Sequence, residues 1–226
     1  MTLNQGIRKV IPAELPYATI NYDYFDISEG TGIVNLYAAQ CLASGAVSVS
    51  DSVVNPILTT DSTLYSSKRV EKVDASNSKS SHLNYDIKFN KPQMIKGIGR
   101  VTFSQGVKYD SSNSNGYVQV ALIHYDGITE TVLASGASVT LVGSTNTSNS
   151  VCINMDMSDQ IYRFKKDEIL RLAVHMYSGG GGANGRFGYG CDPANRDDIA
   201  DASGGITVQS GYTTQLKVQV PFIIDI

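Results

Sequence analysis

The stretch Leu216-Lys217-Val218-Gln219-Val220-Pro221-Phe222-Ile223-Ile224-Asp225-Ile226 decides how this chain is read. Leu216, Val218, Val220, Phe222, Ile224 and Ile226 fall at every second position, the spacing by which an extended strand sends alternate side chains to one buried face. Such a strand needs a second layer to cover it. Working outward, the same period fills the C-terminal two-thirds of the sequence. Leu83, Tyr85, Ile87 and Phe89 alternate up to Lys91-Pro92, where the residue before proline ends the run. Val151, Ile153, Met155 and Met157 share a face, as do Leu170, Leu172, Val174 and Met176.

Between these runs lie weaker signals of the same kind. A strand is expected from about Ile95 to Phe103, with Gly97 and Gly99 marking a bulge or the close approach of another backbone. Tyr117 to Tyr125 and Ile128 to Leu133 face each other across Asp126-Gly127, a pair that tolerates the positive φ of a type I′ turn. Asp110 to Gly116 reads as a polar loop and Ala137 to Val142 as a further strand. Phe164 precedes a polar turn at Lys165-Lys166-Asp167-Glu168. A helix over Ile161 to Met176 is the rival reading, and the β-branched residues with the glycine run that follows favour a strand. About eight strands after residue 82 match a jelly roll of two Greek keys.

The N-terminal region differs in texture, and a soft boundary falls near Ser80 and Ser81. The expected organisation is an arm with partial strands over residues 1–81 and a jelly-roll β-sandwich over residues 82–226. Ile20 to Ile27 and Ile33 to Ala39 are strand candidates joined by Ser28-Glu29-Gly30-Thr31-Gly32, whereas Ser44 to Lys79 alternates Ser, Val, Thr and Asn without a clear core face. A weakly apolar arm is expected to dock on its own domain or on neighbouring subunits.

Composition narrows the function classes. Of the 226 residues only 17% are charged, the net charge is −3 and no stretch concentrates Lys and Arg, so nucleic-acid binding is not expected. Cys41, Cys152 and Cys191 are too few and too far apart for a disulfide framework or a paired-ligand zinc site. Arg8 and Lys9 lead into a stretch broken by Pro12, Glu14 and Pro16, unlike a signal peptide, and no apolar run has bilayer-spanning length. Synthesis in the cytoplasm and no membrane partner are the expectations.

Each candidate for chemistry has a structural reading beside it. Ser178 to Gly190 is glycine-rich, yet no Lys-Ser/Thr or helix start follows, so a surface loop is expected rather than a phosphate cradle. Asp192, Asp197, Asp198 and Asp201 form the densest acidic cluster; it lacks EF-hand spacing, and a turn partly neutralised by Arg196 is favoured over calcium. His82, His124 and His175 are isolated in sequence and meet only if the fold joins them. Cys152 lies opposite Val151 and Ile153 and is expected to be buried between arm and sheet. Tyr17, Tyr22, Tyr24, Phe25, Tyr37 and Tyr65 suit a protein interface better than sugar stacking. There is no clustered His/Cys/carboxylate set, phosphate loop or nucleophile motif, and a hydrolase would need converging carboxylates that spacing does not reveal. No catalytic, cofactor-binding or metal-binding residue is assigned, and the chain reads as non-enzymatic.

Several stretches carry a resemblance. Asp86-Ile87-Lys88-Phe89, Tyr125-Asp126-Gly127-Ile128-Thr129-Glu130-Thr131, Phe164-Lys165-Lys166-Asp167-Glu168-Ile169-Leu170-Arg171-Leu172, Asp192-Pro193-Ala194-Asn195-Arg196-Asp197 and Leu216 to Phe222 resemble virion structural proteins of tailed bacteriophages. The likeness covers about residues 82–226, without the long helix of a major shell protein or the repeat of a tail fibre. It implies a capsid decoration or cement jelly roll located on the virion, with the major capsid protein or other virion proteins as partners. The Phe-x-x-x-Asp-Glu-x-Leu-x-Leu stretch is also similar to the trimeric jelly-roll heads of the tumour-necrosis-factor and complement-C1q type, which implies a homo-oligomer, a trimer above others. The alternative expectation is a carbohydrate- or receptor-binding module whose loops and tyrosines contact glycan.

Overall fold

Alternation of apolar and polar side chains produces strands throughout the computed structural model, which describes residues 17–18, 30–42, 54–74, 80–108, 114–143, 147–179, 185–196 and 212–224. In chain order the strands are β1 (Tyr17–Ala18), β2 (Thr31–Leu42), β3 (Val54–Thr59), β4 (Val70–Asp74), β5 (Ser80–Phe89), β6 (Gln93–Lys108) and β7 (Ser114–Tyr125). They continue as β8 (Glu130–Ala137), β9 (Leu141–Gly143), β10 (Thr147–Phe164), β11 (Ile169–Gly179), β12 (Arg186–Gly190) and β13 (Lys217–Ile223). No helix occurs among the described residues, so none there is long and apolar enough to cross a membrane.

Pairing sorts the long strands into two layers. One runs β3–β2–β13–β6–β10 and the other β5–β11–β7–β8, joined at an edge where β3 meets β5 at the single parallel bridge Ile57↔Asp86. These are the two sheets of a jelly-roll β-sandwich. Most of the expected inward faces are observed, with Val218 and Val220 on β13, Leu170 and Leu172 on β11, and Met155 and Met157 on β10 all 0% exposed, but β13 ends at Ile223, so Ile224 lies past the strand and half-buried, and Ile226 lies outside the described residues. Ile161 to Met176 contains no helix; β10 ends at Phe164, and Asp167 turns the chain at φ 70° into β11.

Aromatic rings tie the layers together. Phe89 on β5 meets Phe164 of β10 and Phe222 of β13 edge-on, with centroids 5.0 and 5.9 Å apart. Such T-shaped contacts add to the roughly 1.5–3 kcal/mol that burying each large apolar side chain contributes.

Proline in a central strand needs a local exception, because it has no N–H for the ladder. Pro221 sits where the β13–β6 register shifts between Gln219 and Phe222. Opposite it, Gly97 adopts φ +119°, and a Cβ on Gly99 would lie 2.7 Å from the carbonyl oxygen of Gln219. Bulge and close approach, both read from the two glycines, occur together here.

Several expectations change. The β7–β8 hairpin forms, but through the four residues Asp126 to Thr129 rather than a two-residue type I′ turn. Asp126 lacks positive φ, and its carboxylate accepts the N–H groups of Ile128 and Thr129 at 2.8 and 2.7 Å. Val139 falls between β8 and β9, so Ala137 to Val142 is not one strand. From the texture of residues 44–79, β3 and β4 were not expected as core strands, yet Ile57, Leu58, Leu64 and Val70 are buried. Strand β2, drawn from the same N-terminal region, lies between β3 and β13 and sends Leu36 and Ala38 into the common core. The candidate strand Ile20 to Ile27 and most of the proposed arm lie outside the described residues.

The glycine-rich segment is also more than a surface loop. Its second half is β12, paired with both β4 and β6, with Phe187 to Gly190 buried. A Cβ on Gly190 would stand 2.6 Å from Thr214 backbone atoms, a clash that no rotamer change relieves. Replacing Gly190 by Ala is expected to lower the unfolding free energy in urea by about 1–3 kcal/mol. An unchanged midpoint would show that β12 does not approach residue 214 this closely.

Candidate functional site

The densest set of polar side chains lies beneath β12, at one end of the sandwich. Gln40 on β2, 3% exposed, donates from Nε2 to Glu71 Oε2 at 2.8 Å and to the Tyr85 hydroxyl at 3.2 Å. The Tyr85 and Tyr189 hydroxyls are 3.0 Å apart across the two layers, and Lys68 Nζ stands 3.0 Å from the same Glu71 oxygen. Cys191 Sγ completes the set, 3.5 Å from Gln40 Nε2. Burial pushes both tyrosine hydroxyls and the Cys191 thiol well above their ordinary ranges, with neighbouring acidic groups adding to the effect. At neutral pH these groups are protonated, so they act here as hydrogen-bond partners. Sequence spacing gave no signal for the set, because its members stand 31, 45 and 151 residues from Gln40.

Of the acidic cluster only the segment Asp192 to Arg196 is described, and it forms a turn closed by Arg196. Asp192, fully buried, receives Arg196 Nε at 2.8 Å on Oδ2 and Nη2 at 3.0 Å on Oδ1, and the Ser66 N–H at 3.2 Å. The same guanidinium donates to the Ser66 carbonyl at 2.7 Å and lies over the Tyr65 ring at 4.5 Å. Asn195 closes the turn at φ 49° and holds Thr214 through its side-chain oxygen at 2.8 Å. With Arg196 occupying both oxygens of Asp192, the described part of the loop is a clamp between the β3–β4 connection and the chain leading into β13. Asp197, Asp198 and Asp201 lie outside the described residues.

The histidines separate into a pair and a single. His82 and His175 are directly opposed on β5 and β11, with ring centroids 4.3 Å apart on the outer face of their layer. His124 lies about 17 Å further along the strands at about 3.4 Å per residue, on the inward face, 2.7 Å from Glu168 Oε2 and packed on Phe164. Beside the pair, Tyr117 and Tyr177 stack with centroids 4.8 Å apart and planes 12° from parallel. Their faces are turned to one another, and a sugar ring stacks on faces. Of the N-terminal tyrosines, Tyr37 lies on the outer face of β2 and Tyr65 carries Arg196; Tyr22, Tyr24 and Phe25 lie outside the described residues.

The opposite outer face is apolar at its centre. Ile33 on β2 is 65% exposed and Ile98 on β6 is 58% exposed, and between them runs β13 with Pro221 directly opposite Ile33. Cys152 occupies the same side of the sandwich on β10 and is exposed, correcting the expectation that it is buried; the covering arm segment assumed for it is not placed there among the described residues.

No protein-family model matches the chain, and no curated protein matches it. Among solved structures it is similar to a CocE/NonD family hydrolase from Staphylococcus aureus, at 12% identity and TM-score 0.43 over 85% of this chain and 37% of that one. It is also similar to the VP2 subviral particle of infectious bursal disease virus, at 11% identity and TM-score 0.27 over 86% and 60%. A CBM4 structure matches at 14% identity and TM-score 0.25 over 49% and 57%. The chain thus spans little more than a third of the hydrolase it matches. The expectation of a non-enzymatic chain is corrected by these neighbours: hydrolases stand among them, and enzymes are not set aside on this architecture.

Three outcomes follow from the buried groups. Burial pushes the Cys41 thiol up to about 12 and Cys191 higher, so in the folded chain a thiol reagent is expected to modify Cys152 alone, the other two reacting only after unfolding. Because both buried thiols hold their protons more tightly folded than unfolded, stability is retained below the unfolded thiol range near pH 8.5 and falls as pH rises above it. Urea midpoints at pH 8 and pH 10 measure that fall. Replacing Arg196 by Ala leaves a fully buried carboxylate without its cation and is expected to cost about 3–5 kcal/mol, read from the same urea curves.

Proposed function

We propose that this chain is a virion structural protein, a decoration or cement jelly roll of the tailed-bacteriophage kind, which binds a major capsid protein or other virion proteins and associates with copies of itself as a trimer. The single observation that carries this reading is the apolar row on the outer face of one layer, Ile33, Pro221 and Ile98, on three adjacent strands. Large apolar side chains on the solvent side of a sheet lower the free energy when another surface covers them, by about 25 cal/mol for each Å² removed from water. The rest of that face supplies polar partners, among them Asn35 and Gln219, already 3.2 Å apart. In this reading the region of residues 1–81 contributes strands β1 to β4, with β2 held between β3 and β13, and the residues ahead of β1 serve as the fastening arm.

Sedimentation of the full chain is expected to give a trimer, and the pair Ile33→Asp with Ile98→Asp a monomer with an unchanged circular-dichroism spectrum. Removing residues 1–16, which precede every described strand, is expected to abolish attachment to particles seen by negative-stain imaging. A monomeric wild-type chain that decorates no particle would overturn the proposal.

A further inference from the structure

We propose that His82 and His175 form a binding site for a divalent transition-metal ion of the Zn²⁺ class on the outer face of the β5–β11–β7 layer. The two side chains come from directly paired residues of antiparallel strands, so the backbone ladder fixes their spacing; their ring centroids are 4.3 Å apart and their planes 39° from parallel. Two imidazoles sharing one tetrahedral ion at N–metal distances of about 2.0–2.1 Å hold their centroids roughly 5 Å apart, so binding requires the two rings to turn until their nitrogens converge on the ion. Among the described residues neither ring takes a hydrogen bond, and both ring contacts of His175 are to other rings, His82 and Tyr177.

Ser80 and Asn84 on β5, Ala173 and Tyr177 on β11 and Gln119 on β7 surround the pair on that face, and none carries a charge at neutral pH. A cation entering there meets no Lys or Arg among them. Two protein nitrogens leave positions on the ion open for water.

The rival use of the pair is ring packing alone, which predicts no metal affinity. Isothermal titration of the untagged full chain with ZnCl₂ separates the two. The expected result is one equivalent of Zn²⁺ bound per chain, with no response to MgCl₂. His82→Gln and His175→Gln are each expected to weaken binding by at least the roughly 10-fold that loss of a supporting residue costs, while His124→Gln binds like wild type. Because a variant can fail to fold, imidazole resonances of the wild-type chain give a second reading: two histidines shift with Zn²⁺ and the third does not. No heat up to millimolar Zn²⁺, binding that survives both substitutions, or shifts confined to His124 would overturn the site.

Discussion

The contact on which this sandwich turns is the edge-on packing of Phe89 against Phe164 and Phe222. Phe89 ends β5 in one layer, while its two partners belong to β10 and β13 in the other, so the trio registers the layers against each other at one end. Backbone hydrogen bonds stabilise each sheet internally but say nothing about how two sheets face. Burial of alternate side chains does, and a slip of one residue in any of these strands would turn its apolar face to water.

At the other end the same task falls to polar groups. The Tyr85 and Tyr189 hydroxyls join the layers, and Gln40 draws Glu71, Tyr85 and Cys191 into one network. Polar groups this deep stabilise a fold only when each finds a partner, which makes the network demanding of position. The Asp192–Arg196 clamp extends it to the surface, so one end of the molecule is closed by aromatic packing and the other by hydrogen bonds.

This division explains what could be read from the sequence. Period two exposed β5, β10, β11 and β13 because those strands face a core on one side only, and the glycines opposite Pro221 foretold the bulge. β3, β4 and β12 were hidden for a physical reason: they are only five or six residues long and bury polar or small residues such as Glu71, Gly188 and Gly190 beside Ile57, Leu58, Phe187 and Tyr189, so no sustained alternation marks them. The Asp126 turn was misread because Asp-Gly satisfies a type I′ turn and an aspartate-capped loop alike. Cys152 was misplaced because the parity of a strand says which side chains face away from the core but not whether anything covers them. The His82–His175 juxtaposition had no trace at all in sequence, since 93 residues separate two side chains that only the β5–β11 ladder brings opposite each other.

The two outer faces differ in how far they satisfy themselves. On the β5–β11–β7 face, Arg171 clasps Asp86 through Nε and Nη2 at 2.8 and 2.7 Å, reaches Glu130 and lies 5.0 Å from the centre of the Tyr125 ring. A guanidinium held by a bidentate carboxylate and an aromatic face gains little from a new partner. Nearby, Tyr117 and Tyr177 cover one another's faces, so this side offers mainly the edges of its rings, the histidine nitrogens included. Among the described residues the β2–β13–β6 face has no such closure at Ile33 and Ile98, whose side chains stay exposed there. Contact with other molecules is therefore best sought on that face, and coordination of small ions on the opposite one.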